Sequence, residues 1–186
     1  MKRRYAGAVP PRHLSTILAA TAAAVALGAC GGDGDRNDAA DVKIETKADY
    51  IEAGDTICRD RDARSLTLAK GSAKGANVAV LTGKLADIYA DTISRQQALE
   101  LPKGPDRAGA QSYVKSITAM TRPVQRMKAS AGVLAKATGD AAVKSAVATL
   151  QANVNTVQAI GDSADQQART YGFKVCGQQQ AADPVS

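Results

Sequence analysis

From about residue 47 onward the apolar positions recur in alternating steps of four and three. One run reads Tyr113, Ile117, Met120, Val124, Met127, Ala131 and Leu134. A second reads Val143, Val147, Leu150, Val154, Val157, Gly161, Ala164, Ala168 and Tyr171, and a third Val78, Leu81, Leu85, Ile88, Thr92 and Leu99. A seam with a period near 3.5 belongs to helices that bury one stripe against antiparallel neighbours. No stretch alternates β-branched and polar residues as a half-buried strand would. Four helices are predicted, over about 47–70, 77–100, 107–137 and 140–171. Thr46 with Asp49 resembles a capping box at the first start, and Asp106 and Asp140 stand where N-caps of the third and fourth would fall. Gly71, Pro102, Gly139 and Gly172 mark the stops. The first helix has the weakest seam, because Arg59-Asp60-Arg61-Asp62 interrupts Ile51, Ile57, Cys58, Leu66 and Leu68. Pro123 falls inside the third helix and predicts a kink or a lost hydrogen bond there, and Gly161-Asp162-Ser163 a bend in the fourth.

Connections of about 3–7 residues favour an all-α, antiparallel up-down-up-down four-helix bundle. In that topology the start of helix one and the end of helix four share one end of the bundle. The segment YGFKVCG, residues 171–177, then has to fold back along helix one, burying Tyr171, Phe173 and Val175 near Tyr50. Residues 178–186 are expected to be a loose tail beyond it.

The chain before residue 46 follows another pattern. Lys2, Arg3, Arg4 and Arg12 precede an uncharged run from Leu14 to Ala29, and no acid occurs before Asp33. At about 16 residues the run is short for a spanning helix, and it has the length and flanks of a secretory signal. Leu27-Gly28-Ala29-Cys30 resembles the bacterial lipobox, which implies cleavage before Cys30 and a lipid on its thiol. The alternative is an ordinary buried cysteine at the end of a hydrophobic helix. Arg3-Arg4 raises twin-arginine export, although Tyr5-Ala6 matches that signal poorly, and the choice between export routes stays open. The predicted organisation is therefore a signal peptide over 1–29, a lipidated Cys30 with a flexible linker to 45, a helical bundle over 46–177 and the tail over 178–186. The expected address is the outer face of the cell membrane, held by a lipid anchor.

Processing changes what the composition implies. The whole chain carries a formal charge of +6, but loss of the signal removes four basic residues and leaves 20 Lys and Arg against 18 Asp and Glu. A near-neutral chain lacks the clustered basic surface that phosphate contacts need, so no nucleic-acid partner is expected. The signal also takes the only histidine, His13. Of three cysteines, assigning Cys30 to lipid leaves Cys58 and Cys176 as an even pair in an oxidising compartment. One disulfide is the natural inference, two separate buried thiols the alternative.

A wider resemblance rests on KADYIEAGDTICRDRDAR, residues 47–64, and ARTYGFKVCG, residues 168–177. Together they resemble a group of actinobacterial helical lipoproteins with a DYI-x-x-x-D-x-IC start and a GF-x-x-CG end around a variable, Ala-rich middle. Asp49, Tyr50, Ile51, Asp55, Ile57, Cys58, Tyr171, Gly172, Cys176 and Gly177 carry the match. The resemblance supports the address and the bridge; no activity comes with it.

Candidate chemistry is narrow. Without histidine in the processed chain, Glu-x-x-His di-iron sites, haem attachment, His-based zinc sites and Ser-His-Asp or Cys-His nucleophiles are excluded. KGSAKGAN lacks the spacing and the strand of a phosphate loop. Met120 and Met127 could meet a soft metal but fit core packing better; Asp49, Glu52 and Asp55, or Asp87 and Asp91, could meet a hard cation but are better read as helix-dipole partners and solvated acids. No cofactor, no metal and no enzymatic activity are expected. The remaining feature is a basic cluster, Lys70, Lys74, Lys136 and Lys144, that the topology gathers at the end opposite the tether with only Asp140 as a nearby acid. It suggests contact with an anionic envelope polymer or an envelope protein, against the simpler reading of lysines that complement helix C-termini and keep loops soluble. Binding or scaffolding is the expected role; the alternative is a carrier of a small apolar ligand between the helices.

Overall fold

A computed structural model describes residues 43–72 and 77–178, and within them every regular element is helical. The helices are α1 (Lys47–Ser72), α2 (Val78–Ala98), α3 (Arg107–Thr118), α4 (Thr121–Lys136) and α5 (Asp140–Tyr171), with one 3-10 turn at Gly104–Asp106. The capping box forms: the Thr46 hydroxyl accepts from the Asp49 N–H at 3.2 Å, and Asp49 Oδ2 accepts from the Thr46 N–H at 2.9 Å. Asn77 caps α2 by accepting from the Ala79 N–H at 2.8 Å.

The expected third helix is two helices, α3 and α4. Pro123 has no N–H to give the Ala119 carbonyl, and its ring crowds that same carbonyl. The turn before it tightens, so that the Met120 N–H reaches the Ile117 carbonyl, three residues back, at 3.0 Å. Two other expectations need correction. Asp106 does stand at the N-cap position of α3 but its side chain makes no capping bond, and Asp140 is not the N-cap of α5. Asp140 is instead the first helical residue, where an acid favours the dipole, and Gly139 at φ +81° makes the turn before it. The bend expected at Gly161 is not an interruption either, since α5 runs unbroken through it. At Gly172, φ +115° lets the chain leave α5 in a left-handed turn, with the Phe173 N–H reaching back to the Ala168 carbonyl at 3.0 Å.

The helical seam is buried where the spacing says it should be over most of its length. Tyr113, Ile117, Met120, Val124, Met127 and Ala131 are all buried, as are Leu150, Val157, Ala164, Ala168 and Tyr171. Packing is most extensive between α2 and α4, then α4 and α5, α1 and α2, and α3 and α5. Side-chain pairs register these faces: Arg64 and Arg95 with Asp60 and Asp91 between α1 and α2, Gln97 with Thr118 and Asp87 with Lys128 between α2 and the α3–α4 rod, and Ser130 with Asn153 between α4 and α5. Among the described residues no helix is long and apolar enough to cross a membrane.

Candidate functional site

The best-defined constellation is a clasp that ties the segment after α5 to the first half of α1. Tyr50, Ala53, Ile57 and Cys58 share one face of α1 at helical spacing, and all are buried. Asp55, next to that face, is only 2% exposed. A carboxylate that far from water needs partners, and it has three backbone donors: the N–H groups of Lys174 and Val175 at 2.8 Å and of Cys176 at 3.0 Å. The irregular tail pairs those N–H groups in no helix, so the acid and the loop satisfy each other. Cys58 and Cys176 are joined by a disulfide with Cα atoms 5.3 Å apart, 118 residues apart in sequence.

Gln96 comes to the same place from α2. It is 1% exposed, and its Nε2 donates to the Gly54 carbonyl at 2.8 Å and lies 3.5 Å and 3.3 Å from the two sulfurs. Beneath them Phe173 plugs a cage of aromatic rings, with centroids 4.5 Å from Tyr113, 5.7 Å from Tyr171 and 5.9 Å from Tyr50. The plug fits because α1 has a glycine there: a Cβ on Gly54 would stand 2.4 Å from Phe173 Cε1. Burial pushes the Tyr50 and Tyr113 phenols well above their ordinary range. The expected fold-back of YGFKVCG is therefore present, with Tyr171 and Phe173 buried and Val175 half-buried.

Beyond the clasp a polar group is wedged between helices. Arg61 Nε donates to Asp62 Oδ1 at 2.8 Å, and Asp165 of α5 lies close enough to feel the Arg61 charge. Burial nevertheless wins over that attraction and over Arg169, and the Asp165 carboxyl is pushed up to about 6. Most of the charged run that weakened the seam of α1 is thus paired at half-buried positions: Arg61 with Asp62, and Asp60 in the ion pairs to α2.

The structure brings together Cys58 and Cys176. Lys70 in the last turn of α1, Lys136 in the last turn of α4 and Lys144 near the start of α5 are exposed. None of the three makes an ion pair among the described residues; Lys84 of α2, which the sequence reading did not single out, behaves the same way. Cys30 and Lys74 lie outside the described residues. Met120 and Met127 are core, Asp49 belongs to the capping box, Asp55 to the clasp, and Asp87 and Asp91 to ion pairs. No group of three His, Cys, Asp or Glu placed to hold a metal occurs among the described residues. Sequence reasoning missed Gln96 and Tyr113 as clasp residues, because a lone Gln or Tyr on a helix has no signature that says what faces it. As candidate chemistry, Asp55 was singled out only as one of three acids on a face of α1, which did not point to the tail that it holds.

What fold and site define is a class only: an all-helical module closed by a disulfide and a buried acid. No family model, curated protein or solved structure matches the chain.

Proposed function

We propose that this protein is a lipid-anchored cell-envelope module that works by binding or scaffolding rather than by catalysis. Its anchor is Cys30, its tether the Gly- and Asp-rich stretch over 31–45, and its working part the bundle. The observation that carries the reading is the buried Cys58–Cys176 bond, since structural disulfides persist in oxidising compartments and the export signal and lipobox resemblance direct the chain to one. We further propose the up-down-up-down arrangement. It is supported by the pairing sense: stepping from Arg64 back to Asp60 on α1 goes with stepping from Asp91 forward to Arg95 on α2, and from Gln97 back to Asp87 on α2 with Thr118 forward to Lys128 on the next rod. Lys70, Lys74, Lys136 and Lys144 then gather at the end away from the tether, where they meet an anionic envelope polymer or an envelope protein.

Two experiments test the proposal. Labelling with a clickable palmitate analogue in a bacterial host should mark the membrane-bound protein and not its Cys30→Ala form; an unlabelled, uncleaved cytosolic product ends the anchored reading. Replacing the four lysines with glutamine should release the protein from the cell wall at lower salt than the parent. Unchanged retention removes the lysines from the function.

A further inference from the structure

The seam spacing assigns Val78, Val143 and Val147 to the core, yet they are 49%, 39% and 41% exposed. With Val80 at 50% and Val133 at 62% they are the large exposed hydrophobics among the described residues. All five sit at the start of α2, the end of α4 or the start of α5, the ends that also bear Lys136 and Lys144. At the other end Tyr113, Tyr171, Phe173 and Leu99 are all buried. Sequence periodicity thus continues an apolar stripe past the point where the described residues supply anything to cover it.

We infer that this end of the bundle is a docking surface for a protein segment that carries both acidic and apolar side chains. The inference rests on the proposed topology and narrows the proposed partner. Charge argues for an acidic occupant, because Lys70, Lys84, Lys136 and Lys144 are exposed and unpaired among the described residues while Lys128, one step further in, already holds Asp87. The valines argue against a bare polyanion, which offers them nothing to bury against. A second copy of this end would set lysines against lysines.

The test uses the purified full-length protein and a fluorescent, helix-forming peptide of about 18 residues with Leu on one face and Glu on the other. Its controls are the same peptide with Ser for Leu, inorganic polyphosphate, and phosphatidylglycerol vesicles. The Leu/Glu peptide should bind at least tenfold more tightly than the Ser peptide or polyphosphate. V133S/V147S should weaken it fivefold or more, and K70Q/K136Q/K144Q should weaken it and flatten its salt dependence. V147E, an exposed change that repels the peptide without deleting volume, should do the same if the serine pair folds poorly. Peptide binding that ignores the valine changes, or no binding at all, overturns the inference; so does tighter binding to polyphosphate or to the vesicles. Palmitate labelling is independent of every one of these readings, so loss of the docking surface and loss of the anchored reading are told apart.

Discussion

Replacing Asp55 with alanine should open the clasp. The carboxylate accepts three backbone N–H bonds from residues 174–176 and is itself almost fully buried. A hydrogen bond to a charged group contributes roughly 1.5–3 kcal/mol, and a buried N–H left unpaired costs about 1–3 kcal/mol. The three losses do not add in full, since Cys176 stays tied to Cys58 and water can reach part of the vacated space. A destabilisation of about 3–5 kcal/mol is expected for Asp55→Ala. Asp55→Asn keeps one acceptor for Val175 and Cys176 and turns an NH2 group toward the Lys174 N–H, so about 2 kcal/mol is expected. Urea unfolding of the oxidised protein, followed by far-UV circular dichroism, measures both. Limited trypsin digestion adds a local readout, because the bond after Lys174 lies in the segment that Asp55 holds. An Asp55→Ala protein within about 0.5 kcal/mol of the parent, with Lys174 no more cleavable, would refute the claim that this acid holds the tail.

Three further outcomes can be checked by the same unfolding assay. Gly54→Ala drives a Cβ to within 2.4 Å of Phe173 Cε1, so overpacking of about 1–3 kcal/mol should outweigh the gain in helix propensity, whereas Gly83→Ala has no atom within 4 Å and should stabilise by about 0.5–1 kcal/mol. Cys58→Ser with Cys176→Ser removes a cross-link spanning 118 residues, worth about 5 kcal/mol by loop entropy; urea midpoints of the parent with and without reductant should differ in the same direction. Asp165 holds its proton more tightly when folded, with its carboxyl pushed up to about 6, so its contribution is present below about pH 4 and is lost as pH rises toward 6. Asp165→Asn should therefore be more stable than the parent at pH 8 and lose that advantage at pH 4; a variant less stable at pH 8 would show that the attraction to Arg61 and Arg169 outweighs burial.

Local order was legible in the sequence because its causes are local. A 3.5-residue period, a Thr46–Asp49 box, a glycine at 172 and a proline at 123 each act within one or two turns, and each did what chain chemistry requires. The disulfide was legible through parity, and the fold-back of the tail followed from the reach needed to close it. The misreading at Asp140 is also local: an acid beside a helix start can serve as a cap or as a first-turn charge, and residue type does not distinguish the two.

What residue order alone decided about this protein is that it is helical, where its helices stop apart from the break between α3 and α4, and which two sulfurs meet. Only the folded chain decided that Asp55 is a buried acceptor, that Gln96 touches both sulfurs, that Arg61, Asp62 and Asp165 are half-buried, and that the seam valines at 78, 143 and 147 are exposed among the described residues. The physical reason is that burial belongs to pairs of surfaces. A stripe of side chains records that a helix has a face to cover, and only the position of the other helices determines whether something covers it.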